Sequence, residues 1–196
     1  MERTEKLKSK ITIRQLVIIG MLSAISIVLG VTGLGFIPIP PVKATIMHIP
    51  VIIGAILEGP LVGGLVGLIF GVFSMIQSIT TPTPVSFVFM NPIVSVLPRI
   101  LIGIVSYYVY SAIKTDKKVI PIAAASAVGS IINTLGVLGS IFIIYLKPYA
   151  KALNISATAA RDGIMTVGVI NGIPEAILSV VVTTAVVTAV VKIRHK

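Results

Sequence analysis

The chain has 196 residues, of which 56% are hydrophobic and only 11% are charged. Charged residues make up about a quarter of an ordinary soluble domain, so this composition excludes one. The net charge is +10, but the basic residues stand in short clusters between long apolar runs, which indicates membrane topology and not nucleic-acid binding. The sequence contains no cysteine, which excludes disulfides, cysteine-bound zinc and a catalytic thiol.

Six apolar stretches follow one another along the chain, and a membrane helix needs about 20 such residues to cross the bilayer core. The sequence therefore predicts an all-α integral membrane protein, a bundle of six transmembrane helices forming a single membrane domain over 1–196. After a cytoplasmic leader at 1–12, the helices are predicted at about 13–31, 46–57, 61–79, 92–113, 119–146 and 164–191.

The connections between these stretches carry helix-breaking residues. The loop from Thr32 to Thr45 contains three prolines, which fix φ and predict an ordered loop instead of a span. Glu58-Gly59-Pro60 is a strong turn signal and divides the stretch from 46 to 79 into a short helix and a longer one. Further loops are predicted at 80–90, 114–118 and 147–163.

Basic residues predict the orientation, because cytoplasmic loops are enriched in Lys and Arg. The leader, the turn at 114–118 and the C-terminal tail hold eleven of them, whereas the opposite loops hold four and Arg99 lies within a span. We therefore expect both termini in the cytoplasm. If the stretch from 46 to 79 crossed only once, the turn at 114–118 would fall outside.

Sequence motifs of soluble enzymes are missing. The chain has no Gly-rich P-loop followed by Lys-Ser or Lys-Thr, no H-E-x-x-H, no G-x-S-x-G and no paired aspartates of the intramembrane protease type. We expect a protein that is not an enzyme, holds no cofactor or metal, and does not hydrolyse ATP by itself.

Polar side chains inside spans are costly, so their spacing is informative. Each of the last three predicted helices has one polar stripe: Asn91, Ser95 and Arg99; Ser126, Ser130 and Asn133; Asn171, Glu175 and Ser179. We expect the three stripes to face a common cavity. Arg99 and Asn171 are predicted at matching depths, about 10 Å below the outer helix ends, so the cavity should open outward.

Arg99 is the sharpest of these candidates, since a guanidinium stays charged and presents a planar fork of donors to a carboxylate or phosphate. Two roles remain open for it, anion binding and a structural ion pair with Glu175. Glu175 could alternatively carry a coupling proton. His48 is interpreted as a helix-end residue bonded to backbone, with a ligand role as the alternative.

Small residues recur at the spacing that lets helices approach closely in lipid. Gly63, Gly67 and Gly71 form such a face on the third helix, where packing inside the bundle is expected. Gly20 and Ala24 form one on the first helix. For that face, docking on a partner membrane protein and packing within the bundle both remain open.

This combination resembles the substrate-binding S components of energy-coupling factor (ECF) vitamin transporters, most closely the pantothenate S components. The likeness lies in six short spans, a Pro-rich first outer loop and four sequence segments: Thr45-Ile46-Met47-His48-Ile49-Pro50, Gly54 to Pro60, Asn91-Pro92 with Leu97-Pro98-Arg99, and Asn171-Gly172-Ile173-Pro174-Glu175.

The resemblance implies a multi-pass protein of a prokaryotic plasma membrane that works with a transmembrane T component and two cytoplasmic ATPase subunits. It implies an Ala-xxx-Ala docking motif on the first helix, for which Gly20 and Ala24 stand here, and a vitamin site among the outer loops and helices four to six. It also implies that the subunit topples in the membrane to release its vitamin inside.

The substrate is less determined than the family. Pantothenate has a carboxylate, an amide and two hydroxyls, which match one Arg with several Asn and Ser groups. A flat vitamin would favour aromatic stacking, and the chain has no Trp. Riboflavin, pyridoxine or a modified purine remain open as substrates, stacked on Phe87, Phe89 or Tyr107. A stand-alone proton-coupled carrier and a structural protein without ligand also remain open.

Overall fold

The structure, a computed structural model, describes residues 11–39 and 42–194, and the side chains of all these except 37–39 and 42–44. Its elements are α1 (Ile13–Val31), β1 (Phe36–Ile39), β2 (Val42–Thr45), α2 (Ile49–Glu58), α3 (Pro60–Thr80), a 3-10 turn (Ser86–Val88), α4 (Pro92–Ser95), α5 (Leu97–Ala112), α6 (Val119–Ser140), a π turn (Ile141–Tyr145), α7 (Leu146–Ala152) and α8 (Ala157–Arg194). Most of the predicted leader lies outside the described residues.

In the part of the chain that the structure describes, five helical segments are long and apolar enough to cross a membrane: Ile13–Val31, Pro60–Thr80, Pro92–Ala112, Val119–Ala152 and Ala157–Arg194. The predicted helix at 46–57 is the shorter apolar helix α2, which has only ten residues. At 1.5 Å per residue it is about 15 Å long, half of a bilayer core of about 30 Å. α2 and α3 are joined through Gly59, whose φ of 102° favours glycine.

A short antiparallel hairpin takes up the chain between α1 and α2. β1 pairs with β2, and Phe36 lies opposite Thr45. The strands form within the predicted Pro-rich loop, since proline is tolerated where its missing N–H is not needed for the ladder. The hairpin and the three residues after it lie at the end of the bundle that the short α2 does not reach.

The last predicted loop differs from the structure. Most of the predicted loop at 147–163 is helical, because α7 covers Leu146–Ala152 and α8 begins at Ala157, seven residues before the predicted start. The Ser156 side chain caps this end by accepting from Ala159 N at 3.1 Å, and alanines favour helix. Hydropathy locates only the apolar part of a helix, so it missed this polar extension.

Glycines bring the backbones of α3 and α5 into contact. A Cβ at Gly67 would overlap the carbonyl oxygen of Arg99, and one at Gly71 would lie 2.7 Å from Val96 Cα. A Cβ at Gly103 would overlap the backbone of Gly63. The glycine face of α3 thus packs inside the bundle, as its spacing predicted.

Three charged side chains form one ionic cluster at the end of the bundle away from the hairpin. The Glu58 carboxylate accepts from Arg14 at 2.7 Å and from Arg194 at 2.6 Å. The cluster joins the start of α1, the α2–α3 turn and the end of α8, so these three lie at the same end of the molecule.

Candidate ligand-binding cavity

A cavity of about 440 Å³ lies between the hairpin, the loop after α3 and the halves of α3, α5, α6 and α8 that are nearer the hairpin. It occupies the space above the short α2, and a volume of this size is within the usual range for small-molecule sites. Its walls are formed by Phe36, Thr45, Met47, Phe70, Ser74, Gln77, Ser78, Thr81, Thr83, Ser86, Phe89, Arg99, Asn133, Thr134, Val137, Leu138, Val167, Asn171 and Glu175.

The proline that precedes Arg99 explains how its side chain is held on this wall. Pro98 has no N–H, so the carbonyl of Val94 one turn earlier receives no helix hydrogen bond from it. Arg99 Nη1 donates to that Val94 oxygen at 2.8 Å, and the guanidinium lies 5.5 Å from the centroid of the Phe70 ring. The side chain is 7% exposed, and its Nε finds no hydrogen-bond partner among the described residues.

Glu175 lies on the same wall, but its carboxylate is engaged elsewhere. One oxygen accepts from the backbone N–H of Thr45 at 2.9 Å and the other from the Thr134 hydroxyl at 3.3 Å. Ion pairs within 4.0 Å in the described part of the chain involve Glu58, so the structural pair of Arg99 with Glu175 is not formed. Arg99 is therefore a buried cation on a cavity wall without a carboxylate partner in that part of the chain.

Four of the seven predicted site residues line the cavity together, namely Arg99, Asn133, Asn171 and Glu175. Asn171 and Arg99 both line the cavity, although α8 begins earlier than predicted. They share a wall of the cavity, but they do not lie at equal depths below the starts of their helices. The Asn133 Oδ1 atom is buried and has no hydrogen-bond partner among the described residues. The wall thus offers a cationic donor and an amide acceptor to a ligand.

The other three predicted residues do not line the cavity. Asn91 caps α4, accepting from Ile93 N at 2.9 Å and donating to the Tyr145 hydroxyl at 3.0 Å. Ser95 donates to the Phe89 carbonyl oxygen. Ser130 is fully buried away from the wall. The stripe of the fourth predicted span is therefore only partly formed. Asn91 precedes the helix as its N-cap and the Ser95 hydroxyl is bonded to the Phe89 carbonyl, so Arg99 is the member of the three that reaches the cavity.

Several wall residues were missed by sequence reasoning. Gln77 and Thr134 had a usable signal, since Gln77 is a polar residue in an apolar run and Thr134 follows Asn133. Phe36, Thr45 and Met47 come from the hairpin and the residues after it, and no helical periodicity relates them to the other walls. The prediction used only the spacing of polar residues along single helices, so it could not identify cavity residues from the hairpin.

His48 does not behave as predicted. It directly precedes α2, but its side chain makes no capping hydrogen bond, so the interpretation as a residue bonded to backbone is wrong. The imidazole is completely buried, and neither ring nitrogen has a hydrogen-bond partner among the described residues.

The face of α1 that carries Gly20 and Ala24 points away from the bundle. Both residues are exposed, and a Cβ at Gly20 would meet no described atom within 4 Å. The exposed apolar side chains of Val17, Met21 and Val28 lie around them. This face therefore does not pack against the described part of the bundle and is open to lipid or to a partner helix.

These features define a helical membrane protein that encloses a small cavity, lined by both apolar and polar side chains, at one end of its bundle. Groups of three or more metal-ligating side chains are absent from the residues described. The cavity offers charge and hydrogen bonds to a small molecule, which is the arrangement of a binding subunit.

The comparisons with known proteins give the family. Residues 14–187 match the family described as ECF transporter, substrate-specific component. The chain is 33% identical over 169 residues to the pantothenic acid transporter PanT of Lactococcus lactis subsp. cremoris, covering 79% of this chain and 81% of that protein. It is 30% identical over 113 residues to the pantothenate transporter PanT of Leuconostoc mesenteroides subsp. mesenteroides, covering 53% and 55%. The chain belongs to the ECF transporter S-component family and is a multi-pass membrane protein.

Proposed function

We propose that this chain is the pantothenate-binding subunit of an ATP-driven ECF importer. The observation that carries the proposal is Arg99, a buried cation on the cavity wall that no described carboxylate neutralises. Burying such a charge is costly unless it is paired. An anionic ligand supplies the missing partner, and the two curated relatives are named as pantothenate transporters.

The remaining wall matches the rest of the pantothenate molecule. Its carboxylate is assigned to Arg99, whose planar fork binds carboxylates through two hydrogen bonds. The amide N–H and the hydroxyls are assigned to Asn133, Asn171 and the polar side chains of α3, with Gln77 as the largest of these. Phe70 and Phe89 give the apolar surface for the methyl groups. Glu175 shapes the wall, since both its oxygens are already bonded.

The proposal includes the orientation and the partners. Six helices with both termini in the cytoplasm put the Glu58 cluster on the inner side and the cavity on the outer side, as the distribution of Lys and Arg favours. Gly20 and Ala24 then form the docking surface for a T component, which two cytoplasmic ATPases drive. The subunit itself binds and carries its ligand without catalysis.

Ligand retention tests this function. The chain purified in detergent should bind pantothenate tightly without ATP, by titration calorimetry, and pantothenate should be found by mass spectrometry among the small molecules that purify with it. Riboflavin and pyridoxine should not compete. Tight binding of another vitamin would replace the substrate and keep the family role, whereas binding of no vitamin would contradict the proposal.

A further inference from the structure

We propose that Tyr145 is a positioning residue for the ligand: its hydroxyl group and its ring hold the α3–α4 loop, residues 81–91, in place as part of the cavity wall. The proposal rests on the function proposed above. Tyr145 itself does not line the cavity, whereas four residues of the loop do, namely Thr81, Thr83, Ser86 and Phe89. Tyr145 therefore acts on the ligand through the loop.

Tyr145 contacts the loop at two places. Its hydroxyl oxygen accepts from Asn91 Nδ2 at 3.0 Å, at the end of the loop. Its ring packs edge-on against the ring of Phe87, with the two centroids 5.9 Å apart. The Asn91 Oδ1 atom accepts from the Ile93 N–H at 2.9 Å, so both ends of this amide are bonded and its orientation is determined. These contacts join the α3–α4 loop to the π turn that follows α6.

The rest of the loop is bonded to itself, so it behaves as one unit. The Ser86 hydroxyl accepts from the Thr83 N–H at 2.8 Å, and the Ser86 carbonyl accepts from the Phe89 N–H at 2.9 Å. Three wall residues are thus linked to one another, and Phe87 lies among them in the chain. A side chain that holds Phe87 therefore also determines where the three wall residues lie.

The loop packs on its own apolar cluster instead of on the main core. Val88 and Val94 are completely buried there, together with Ile141 of the π turn and Ile164 of α8. Tyr145 is partly buried against this second cluster. The main core is formed by other residues, from α1, α2, α3, α5, α6 and α8. The loop can therefore loosen while the main core of the bundle stays packed.

The π turn explains how a tyrosine from this part of the chain is directed at the loop. The helical segment Val119–Ala152 contains the π turn Ile141–Tyr145, and Tyr145 is its last residue. A π turn holds one residue more than a turn of α-helix, so it changes the direction of the side chains at its end, and such turns are frequent at functional sites. The irregular turn thus places the side chain that holds the loop.

The test separates the hydrogen bond from the packing of the ring. Tyr145→Phe removes the hydroxyl group and keeps the ring. Asn91→Ser keeps a good N-cap for α4 but is too short to reach Tyr145, and the double variant completes a mutant cycle. Tyr149→Phe is the matched control, because Tyr149 packs on the same second cluster without a hydrogen bond to the α3–α4 loop in the described part of the chain.

Two measurements are made on each full-length variant in detergent. Release of radiolabelled pantothenate, chased with an excess of unlabelled pantothenate, gives the dissociation rate. Hydrogen exchange of the segment 81–91 in the ligand-free protein reports how firmly the loop is held. Thermal unfolding shows whether the bundle is folded.

We expect Tyr145→Phe and Asn91→Ser each to release pantothenate about 3- to 10-fold faster, the range for one hydrogen bond, because a looser loop lets the ligand leave more often. The double variant should be no faster than the faster single variant, since both substitutions break the same bond. Hydrogen exchange in the segment 81–91 should rise in all three, and Tyr149→Phe should stay close to the wild type in both measurements.

Four results would overturn the proposal. They are additive effects of the two substitutions, an equal effect of Tyr149→Phe, unchanged release by Tyr145→Phe, and unfolding of Tyr145→Phe, since each leaves Tyr145 at most a role in packing. If the wild type binds no pantothenate, the proposed function fails and this inference falls with it. If the wild type binds pantothenate and Tyr145→Phe releases it at the same rate, this inference alone fails.

Discussion

The two ends of the bundle use the same helices in opposite ways. At the Glu58 end α2 lies among the other helices, and glycines let α3 and α5 touch through their backbones, so little space is left. At the hairpin end α2 is absent, and the polar side chains of α5, α6 and α8 face a cavity of about 440 Å³. The comparison shows that the cavity exists because α2 is short. Substitutions in the packed half should therefore affect folding, whereas those in the open half should affect binding.

The largest effect is expected from Gly103→Ala, which attacks the packed half. The new Cβ would overlap the backbone of Gly63, and backbone cannot move aside as a side chain can, so α3 and α5 must separate. Overpacking typically costs about 1 to 3 kcal/mol, and we expect the upper end or loss of the folded protein. Thermal unfolding in detergent measures it. Gly64→Ala is the matched control, because its Cβ would meet no atom closer than 3.8 Å, and equal destabilisation by both would contradict the packing argument.

Arg99→Ala attacks the open half and should remove ligand binding while the protein stays folded. Loss of one partner of a buried charged pair typically costs about 2 to 5 kcal/mol, which is roughly 30- to several-thousand-fold in affinity. Arg99→Lys should recover little, since an ammonium lacks the planar fork. Calorimetry with pantothenate measures both variants. Unchanged binding by Arg99→Ala would show that the ligand carboxylate lies elsewhere.

Gly20→Leu and Ala24→Leu test a surface that belongs to neither half. We expect ligand binding to be unchanged and uptake to fall to background, because a bulky side chain prevents close approach of a partner helix. Uptake is measured in cells that supply the ATPase module, and binding on the purified chain. Val181→Leu, at an exposed position of α8, is the control and should transport normally. Loss of binding in the two α1 variants would mean that this face supports the bundle.

The smallest effect is expected from Glu175→Gln. The amide can still accept from Thr45 N–H and bond to the Thr134 hydroxyl, so pantothenate binding and uptake should remain within a few fold. Glu175→Leu leaves the Thr45 N–H without its acceptor, which costs about 1 to 3 kcal/mol, and should weaken binding more. Uptake by the chain alone in proteoliposomes, driven by a pH gradient and lost in Glu175→Gln, would instead identify a proton-coupled carrier.

Sequence reasoning located the apolar stretches because hydropathy and helix breakers are local. Glu58-Gly59-Pro60 identified the α2–α3 turn, and the glycines of α3 identified its packed face. The helix start at Pro92 was not used, although proline is common at the first helical position, and Asn91, the N-cap, was therefore read as part of one face with Ser95 and Arg99.

The candidate site was predictable only where its residues follow a helical repeat. Arg99, Asn133 and Asn171 are polar residues in apolar helices, and such residues are conspicuous by their cost. Thr45 and Met47 reach the cavity because α2 is short and the hairpin descends toward it. That depends on how separate segments meet in space, which spacing along the chain does not encode.

The Glu58 cluster has a consequence for how the chain is connected. Because Arg14 and Arg194 hold the same carboxylate, the first and last helices of the described chain begin and end beside each other. The described part of the chain thus starts and ends at the same end of the bundle. Joining the two ends with a flexible linker and opening the exposed connection at Lys114 to Lys118 should give a permuted protein that retains the cavity.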